Sequence, residues 1–184
     1  TISYPNGTIF LNETKTINSY NVQLGNYTVG RNMTVGTYQV KILWENNQSF
    51  LFKTQIGYKE FNFNVNHNTS LTAINPYNEL IQGDPFLLKV KFWDFNIDQG
   101  ISFASIKYNS SDGSSGNMVY QGLGIYIAEI DTSSLDLGSY FFSFSAKKNY
   151  YKTQYKSDLI ELKMISQPLK LEVPKTTLTA LGNS

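Results

Sequence analysis

At 184 residues, with 15 basic and 14 acidic side chains and a net charge of +1, the chain has no concentrated positive face, which excludes phosphate-driven nucleic-acid binding. Charged residues make up only 16%, against roughly 25% in an ordinary soluble domain, so something besides ionised side chains must keep the surface soluble. The absence of cysteine excludes disulfides and thiolate metal sites but not secretion.

Taken in chain order, the apolar residues alternate with period two, and no segment follows a helical period. Tyr38, Val40, Ile42 and Trp44 alternate with Gln39, Lys41 and Leu43, and Phe61 to Val65 reads as an in–out strand. Phe86 to Trp93, Ser102 to Tyr108, Leu123 to Ile130 and Tyr140 to Ala146 follow as strands. Turns fall between them at Asn46-Asn47, Asn75-Pro76, Gly83-Asp84-Pro85, Asp112-Gly113 and Leu137-Gly138. Thirteen tyrosines and twelve phenylalanines suit pleated surfaces. This pattern predicts an all-β, antiparallel, Ig-like or pilin-like β-sandwich. The one long apolar run, Pro85 to Phe92, is broken by lysines, so no membrane span is expected.

Two stretches repeat. Val35-Gly36-Thr37-Tyr38 returns as Leu137-Gly138-Ser139-Tyr140, which predicts a turn glycine entering an inner strand and a tyrosine tying its hydroxyl to nearby backbone. Thr69 to Ala73 returns either as Thr176 to Ala180 or, in a second register, as Leu169 to Val173. Residues 66–165 therefore read as one complete sandwich. Residues 1–65 read as the closing part of a similar, incomplete one, and residues 166–184 as an extended strand with no domain to receive it. No initiator methionine or charged-then-apolar leader precedes the first strand, so Thr1 is expected to follow a cleavage or the boundary of an excerpt.

Asn-x-Ser/Thr acceptors stand at Asn6, Asn12, Asn26, Asn32, Asn47, Asn68 and Asn109, where composition predicts about three or four. The excess fits a surface glycosylated on asparagine, with covalent N-glycans supplying the missing polarity.

The run Gly124-Ile-Tyr-Ile-Ala-Glu-Ile-Asp-Thr132, followed by Leu137-Gly-Ser-Tyr-Phe-Phe-Ser-Phe-Ser-Ala146, resembles the Ig-like modules of bacterial and archaeal cell-surface proteins. The cysteine-free, sequon-dense layout with an unpaired strand resembles archaeal thread-type surface filaments. That resemblance implies an extracellular, glycosylated, type I pilin-like subunit that polymerises head to tail with copies of itself by donor-strand complementation. A sheet short of a strand exposes unpaired N–H and C=O groups beside an open core, and an alternating segment from a neighbour satisfies both. The candidate donor is the C-terminal segment with Leu169, Leu171, Val173, Leu178 and Leu181; the rival is the N-terminal one with Ile2, Tyr4, Ile9 and Leu11. Pro5 and Pro174 each interrupt one of them.

Little catalytic chemistry is encoded. His67, the sole histidine, reads as part of a solvated linker, and no Gly-x-Ser-x-Gly turn accompanies it. The acids fall at strand ends and turns. Asp94, Asn96 and Asp98 resemble the opening of a calcium loop, but Gln99 stands at its glycine position and Ser105 at its closing glutamate. Trp44 and Trp93 lie in alternating strands, where a core position is the ordinary expectation. No enzyme and no cofactor are expected. Beside the filament subunit stand two other readings: tandem Ig-like modules from an adhesin or surface-layer protein, and a carbohydrate-binding module.

Overall fold

A computed structural model describes residues 1–16, 27–46 and 55–166 of the chain. Every regular element in them is a strand. The first four, β1 (Ile2–Ser3), β2 (Ile9–Leu11), β3 (Gly36–Asn46) and β4 (Gln55–Val65), form an antiparallel sheet in the order β2-β1-β3-β4.

The remaining ten are β5 (Thr69–Ala73), β6 (Tyr77–Ile81), β7 (Phe86–Asp94), β8 (Gln99–Gly100), β9 (Ser105–Ser110), β10 (Ser115–Asn117), β11 (Val119–Gly122), β12 (Ile125–Ile130), β13 (Gly138–Lys147) and β14 (Gln154–Ile165). They make two facing sheets, β11-β12-β7-β5, with β8 added to β7, and β10-β9-β13-β14-β6. All pairings are antiparallel except that of β6 with β14. This is the Ig-like arrangement, with the A, B, E and D strands in one sheet and the C, F and G strands in the other. The opening strand is split: β5 lies in the first sheet and β6 in the second, with the predicted Asn75-Pro76 turn between them. Proline cannot donate to a ladder, but the Pro76 carbonyl accepts the Glu161 N–H at 2.8 Å and starts the crossing.

Period two builds the core. Phe86, Leu88, Val90 and Phe92 of β7 point inward and meet Phe142, Phe144 and Ala146 of β13 and Ile160 and Leu162 of β14 across the gap. The alternation runs one step further than the hydrophobic residues do, so Asp94 is also directed inward and buried. Gly113 turns the β9–β10 hairpin at a positive φ of 90°, donating to the Ser110 carbonyl at 3.0 Å.

Both repeated tyrosines form the expected corner. The Tyr38 hydroxyl donates to the Thr34 carbonyl at 2.8 Å and the Tyr140 hydroxyl to the Asp136 carbonyl at 3.1 Å, each four residues upstream. Burial, with the neighbouring Tyr4 and Tyr27, holds the Tyr38 hydroxyl above the usual tyrosine range. Tyr38→Phe removes that bond from a fully buried side chain and is expected to cost about 1 kcal/mol. The measurement is urea unfolding, with a lower midpoint at unchanged slope.

Candidate functional site: the open face of the N-terminal sheet

The N-terminal sheet is a copy of one half of the second unit. Val40 pairs with Phe61 and Tyr38 with Phe63, as Phe142 pairs with Ile160 and Tyr140 with Leu162. β1 lies antiparallel beside β3, as β9 does beside β13, and β2 extends the sheet as β10 does. In the second unit the sheet β11-β12-β7-β5 covers this face. Among the described residues of the N-terminal unit, no second sheet covers it.

The contrast is measurable at matching positions. Ile160 is 1% exposed and its counterpart Phe61 is 49% exposed; Ala146 is 0% exposed and Trp44 is 48%. One end of the face is closed by aromatic packing around the corner. Phe63 stacks on Tyr38 with ring centroids 5.2 Å apart, and Tyr4 and Phe10 pack beside them. The other end, with Ile42, Trp44 and Phe61, remains open.

The edge is open as well. β14 is paired on its outer side by β6, whereas β4, eleven residues long, has no partner on its outer side among the described residues. A long strand of unpaired N–H and C=O groups beside an apolar face is a template for one more strand.

Of the two candidate donors, the structure describes the N-terminal one. Ile2, Ile9 and Leu11 are paired inside their own sheet, Ile2 with both Leu11 and Val40, and Tyr4 packs in the corner cluster. The N-terminal segment is thus engaged at home. Leu169, Leu171, Val173, Leu178 and Leu181 lie outside the described residues, as do Asn26 and Asn47.

Of the other acceptor asparagines, Asn6, Asn12, Asn32, Asn68 and Asn109 are all exposed. Asn6 sits in the β1–β2 turn, where its side-chain oxygen accepts from both the Thr8 N–H and the Thr8 hydroxyl. Asn109 is within β9, flanked by Ser115 and Ser143.

Asp94, Asn96 and Asp98 each direct an oxygen elsewhere. Asp94 Oδ2 faces His67, Asn96 Oδ1 accepts the Asn68 N–H, and Asp98 Oδ1 accepts the Trp93 indole N–H at 2.8 Å. Neither tryptophan is in the core. Trp44 lies on the open face, and Trp93 lies on the outer face of its sheet under the Lys91 ammonium, 3.6 Å from the ring centroid. The reason is parity: β7 turns its even-numbered residues inward, which leaves Trp93 outside.

The expectation of a solvated His67 is overturned. The residue is buried because it bridges the two units, a long-range contact that its polar neighbours Asn66 and Asn68 do not announce. The available signal was Asp94, an acid at an inward position of an alternating strand, which needs a buried partner.

No family model matches the chain, and no curated protein matches it. Among solved structures, an endo-β-1,4-mannanase from Thermotoga petrophila is similar at 16% identity and a TM-score of 0.41, covering 54% of this chain. The chain spans 20% of that enzyme's length. Domains 4 and 5 of the S-layer protein SbsC are similar at 12% identity and a TM-score of 0.35, covering 89% of this chain and 93% of that one. No helix among the described residues is long and apolar enough to cross a membrane.

Proposed function

We propose that the protein is a structural subunit of an extracellular filament, extended head to tail by donating a strand to the N-terminal sheet of the next copy. The supporting observation is a pair of vacancies on that sheet among the described residues: the β4 edge and the Phe61 face are open where β14 and Ile160 are covered.

The second unit supplies a template for the donor. There the opening segment Thr69–Ile81 passes from β5 to β6, and β6 lies parallel on β14. In the register that aligns Leu169 with Thr69, residues 177–181 fall on β6 and Pro174 falls on Ile74, at the bend between the two strands. In the template the Ile74 N–H donates to the Lys89 carbonyl at 3.1 Å, so a proline there gives up one bond, at the last rung before the bend. Residues 177–181 of one copy then pair with the β4 edge of the next as β6 pairs with β14, while Leu169, Leu171 and Val173 supply apolar side chains toward the open face. The contact is heterologous and does not close on itself, so it repeats into a fibre. Catalysis has no part in this role, and glycans on the exposed asparagines would keep the shaft soluble.

Electron microscopy of the full chain, with and without residues 167–184, tests this. Thin fibres from the full chain and monomers from the shortened one are expected. Monomers from both would overturn strand donation. They would favour a second reading, carried by the same echo of β5, in which residues 169–181 open the next Ig-like module of a longer surface protein.

A further inference from the structure

His67 stands between β4 and β5, where the two units meet. Its backbone is stitched to the β13–β14 loop: its N–H donates to the Tyr150 carbonyl and its carbonyl accepts from the Lys152 N–H, both at 3.0 Å. Its ring reaches in two directions. Nδ1 lies 2.6 Å from Asp94 Oδ2 at the end of β7 in the second unit. Nε2 lies 2.7 Å from the carbonyl oxygen of Met33, in the loop that leads into β3 of the first unit. His67 is 3% exposed and Asp94 1%, so water does not substitute for either contact.

The chemistry of the partners sets the protonation state. A backbone carbonyl only accepts. The other oxygen of Asp94 accepts the Asn96 N–H at 2.8 Å, an arrangement that suits a carboxylate. Facing a carboxylate and a carbonyl, both acceptors, the ring makes both bonds only by donating from both nitrogens, which takes both ring protons. A neutral imidazole has one donor and turns a lone pair toward an acceptor at the other end.

We propose that His67 is a proton-operated latch between the two units. With the ring doubly protonated, one side chain bonds both units and fixes their angle. Raising the pH removes a ring proton, breaks one of the two bonds and frees the angle.

The other titratable side chains at the joint are tyrosines, lysines and an arginine. Tyr151 meets the ring edge-on at 6.1 Å between centroids, and burial together with the Asp94 carboxylate holds its hydroxyl above the usual tyrosine range. Lys148 lies over the Tyr151 ring at 5.6 Å and donates to the Ser102 carbonyl. Tyr150 meets the Thr37 hydroxyl at 3.0 Å, a second contact between the units. Lys152 takes part through its backbone, and Arg31, two residues before Met33, is exposed. Lysine, arginine and tyrosine ordinarily titrate about three units or more above histidine, which leaves the imidazole as the switching group.

The chain suits a direct test, because it has one histidine and no cysteine. Nitrogen NMR of the full chain reports the two ring nitrogens without ambiguity, and Asn62→Cys with Ser157→Cys places one spin label on an exposed site in each unit. At about pH 5 both ring nitrogens are expected to carry protons, with a narrow label–label distance; toward about pH 9 one proton is lost and the distance distribution broadens in the same step. Asp94→Asn supplies the control. Its amide N–H can donate to Nδ1 of a neutral ring while Nε2–H still donates to Met33, so the narrow distance is expected at every pH. A ring that is singly protonated across the whole range, or a label distance that ignores the loss of the proton, overturns the proposal. So does an Asp94→Asn chain that keeps the wild-type pH response. The ring measurement needs no substitution and stands even if a variant fails to fold.

Discussion

Ile160→Ala is expected to lower stability by about 2–5 kcal/mol, whereas Phe61→Ala, at the matching place in the N-terminal sheet, is expected to cost about 1 kcal/mol or less in the isolated chain. Ile160 is sealed between two sheets, so deleting its side chain leaves a cavity as well as losing the transfer energy of the removed atoms. Phe61 is the larger residue, yet half of it already faces water. Shortening it empties no enclosed space. Denaturant unfolding of the two variants against wild type reads the difference directly. Equal losses would mean that the N-terminal face is already filled within one chain, and strand donation from a neighbour would then have nothing to fill. Under the filament reading, Phe61→Ala shows its larger effect on fibre length.

Gly124→Ala is expected to be nearly as costly, at about 3 kcal/mol or more, for a reason unrelated to the hydrophobic effect. Gly124 closes the turn between β11 and β12 at a φ of +76°, which costs an L-residue about 1–2 kcal/mol. A Cβ there would also sit 2.5 Å from the Phe92 carbonyl oxygen and 2.7 Å from the Gly100 Cα. Both are backbone atoms and cannot swing aside. They belong to a close crossing in which the Gly124 carbonyl accepts the Phe92 N–H at 2.8 Å and the Phe92 carbonyl accepts the Ile101 N–H at 3.0 Å. Gly83→Ala is the comparison, because a Cβ at Gly83 meets nothing within 4 Å despite a φ of +91°. Thermal unfolding should show a much larger fall in Tm for Gly124→Ala than for Gly83→Ala. Equal falls would assign the whole cost to backbone conformation.

What could be read from the sequence follows from the range of the interactions involved. The all-β class and the strand positions rest on period-two alternation and on turn residues, which are local, and they emerge where expected. The tyrosine corner is also local, a hydroxyl reaching four residues back, and its repetition made it visible twice. Boundaries shifted where local signals conflict: the strand expected from Ser102 begins at Ser105, because Ile101 and Ala104 instead bond around the buried Tyr126 hydroxyl. The latch at His67 was hidden because its partners lie 27 and 34 residues away on opposite sides. A histidine between two asparagines looks solvated until those elements are brought together. The outward position of Trp93 was legible in principle from parity with Val90 and Phe92, since an odd-numbered residue in β7 cannot share their face.

The parallel run of β6 beside β14 bears on how the second unit would carry a load. Tension enters on the side of Thr69 and leaves at Ile165, so it draws the start of β6 and the end of β14 in opposite directions along their common axis. The register pairs from Glu161 with Tyr77 to Ile165 with Ile81 are then sheared together, as in a lap joint, instead of being peeled one after another like a hairpin opened from its ends. The Lys163–Glu79 ion pair, 2.9 Å long, lies across the same seam. A shaft built of such units would resist stretching by the sliding friction of paired strands, and its breaking force would depend on how fast it is pulled.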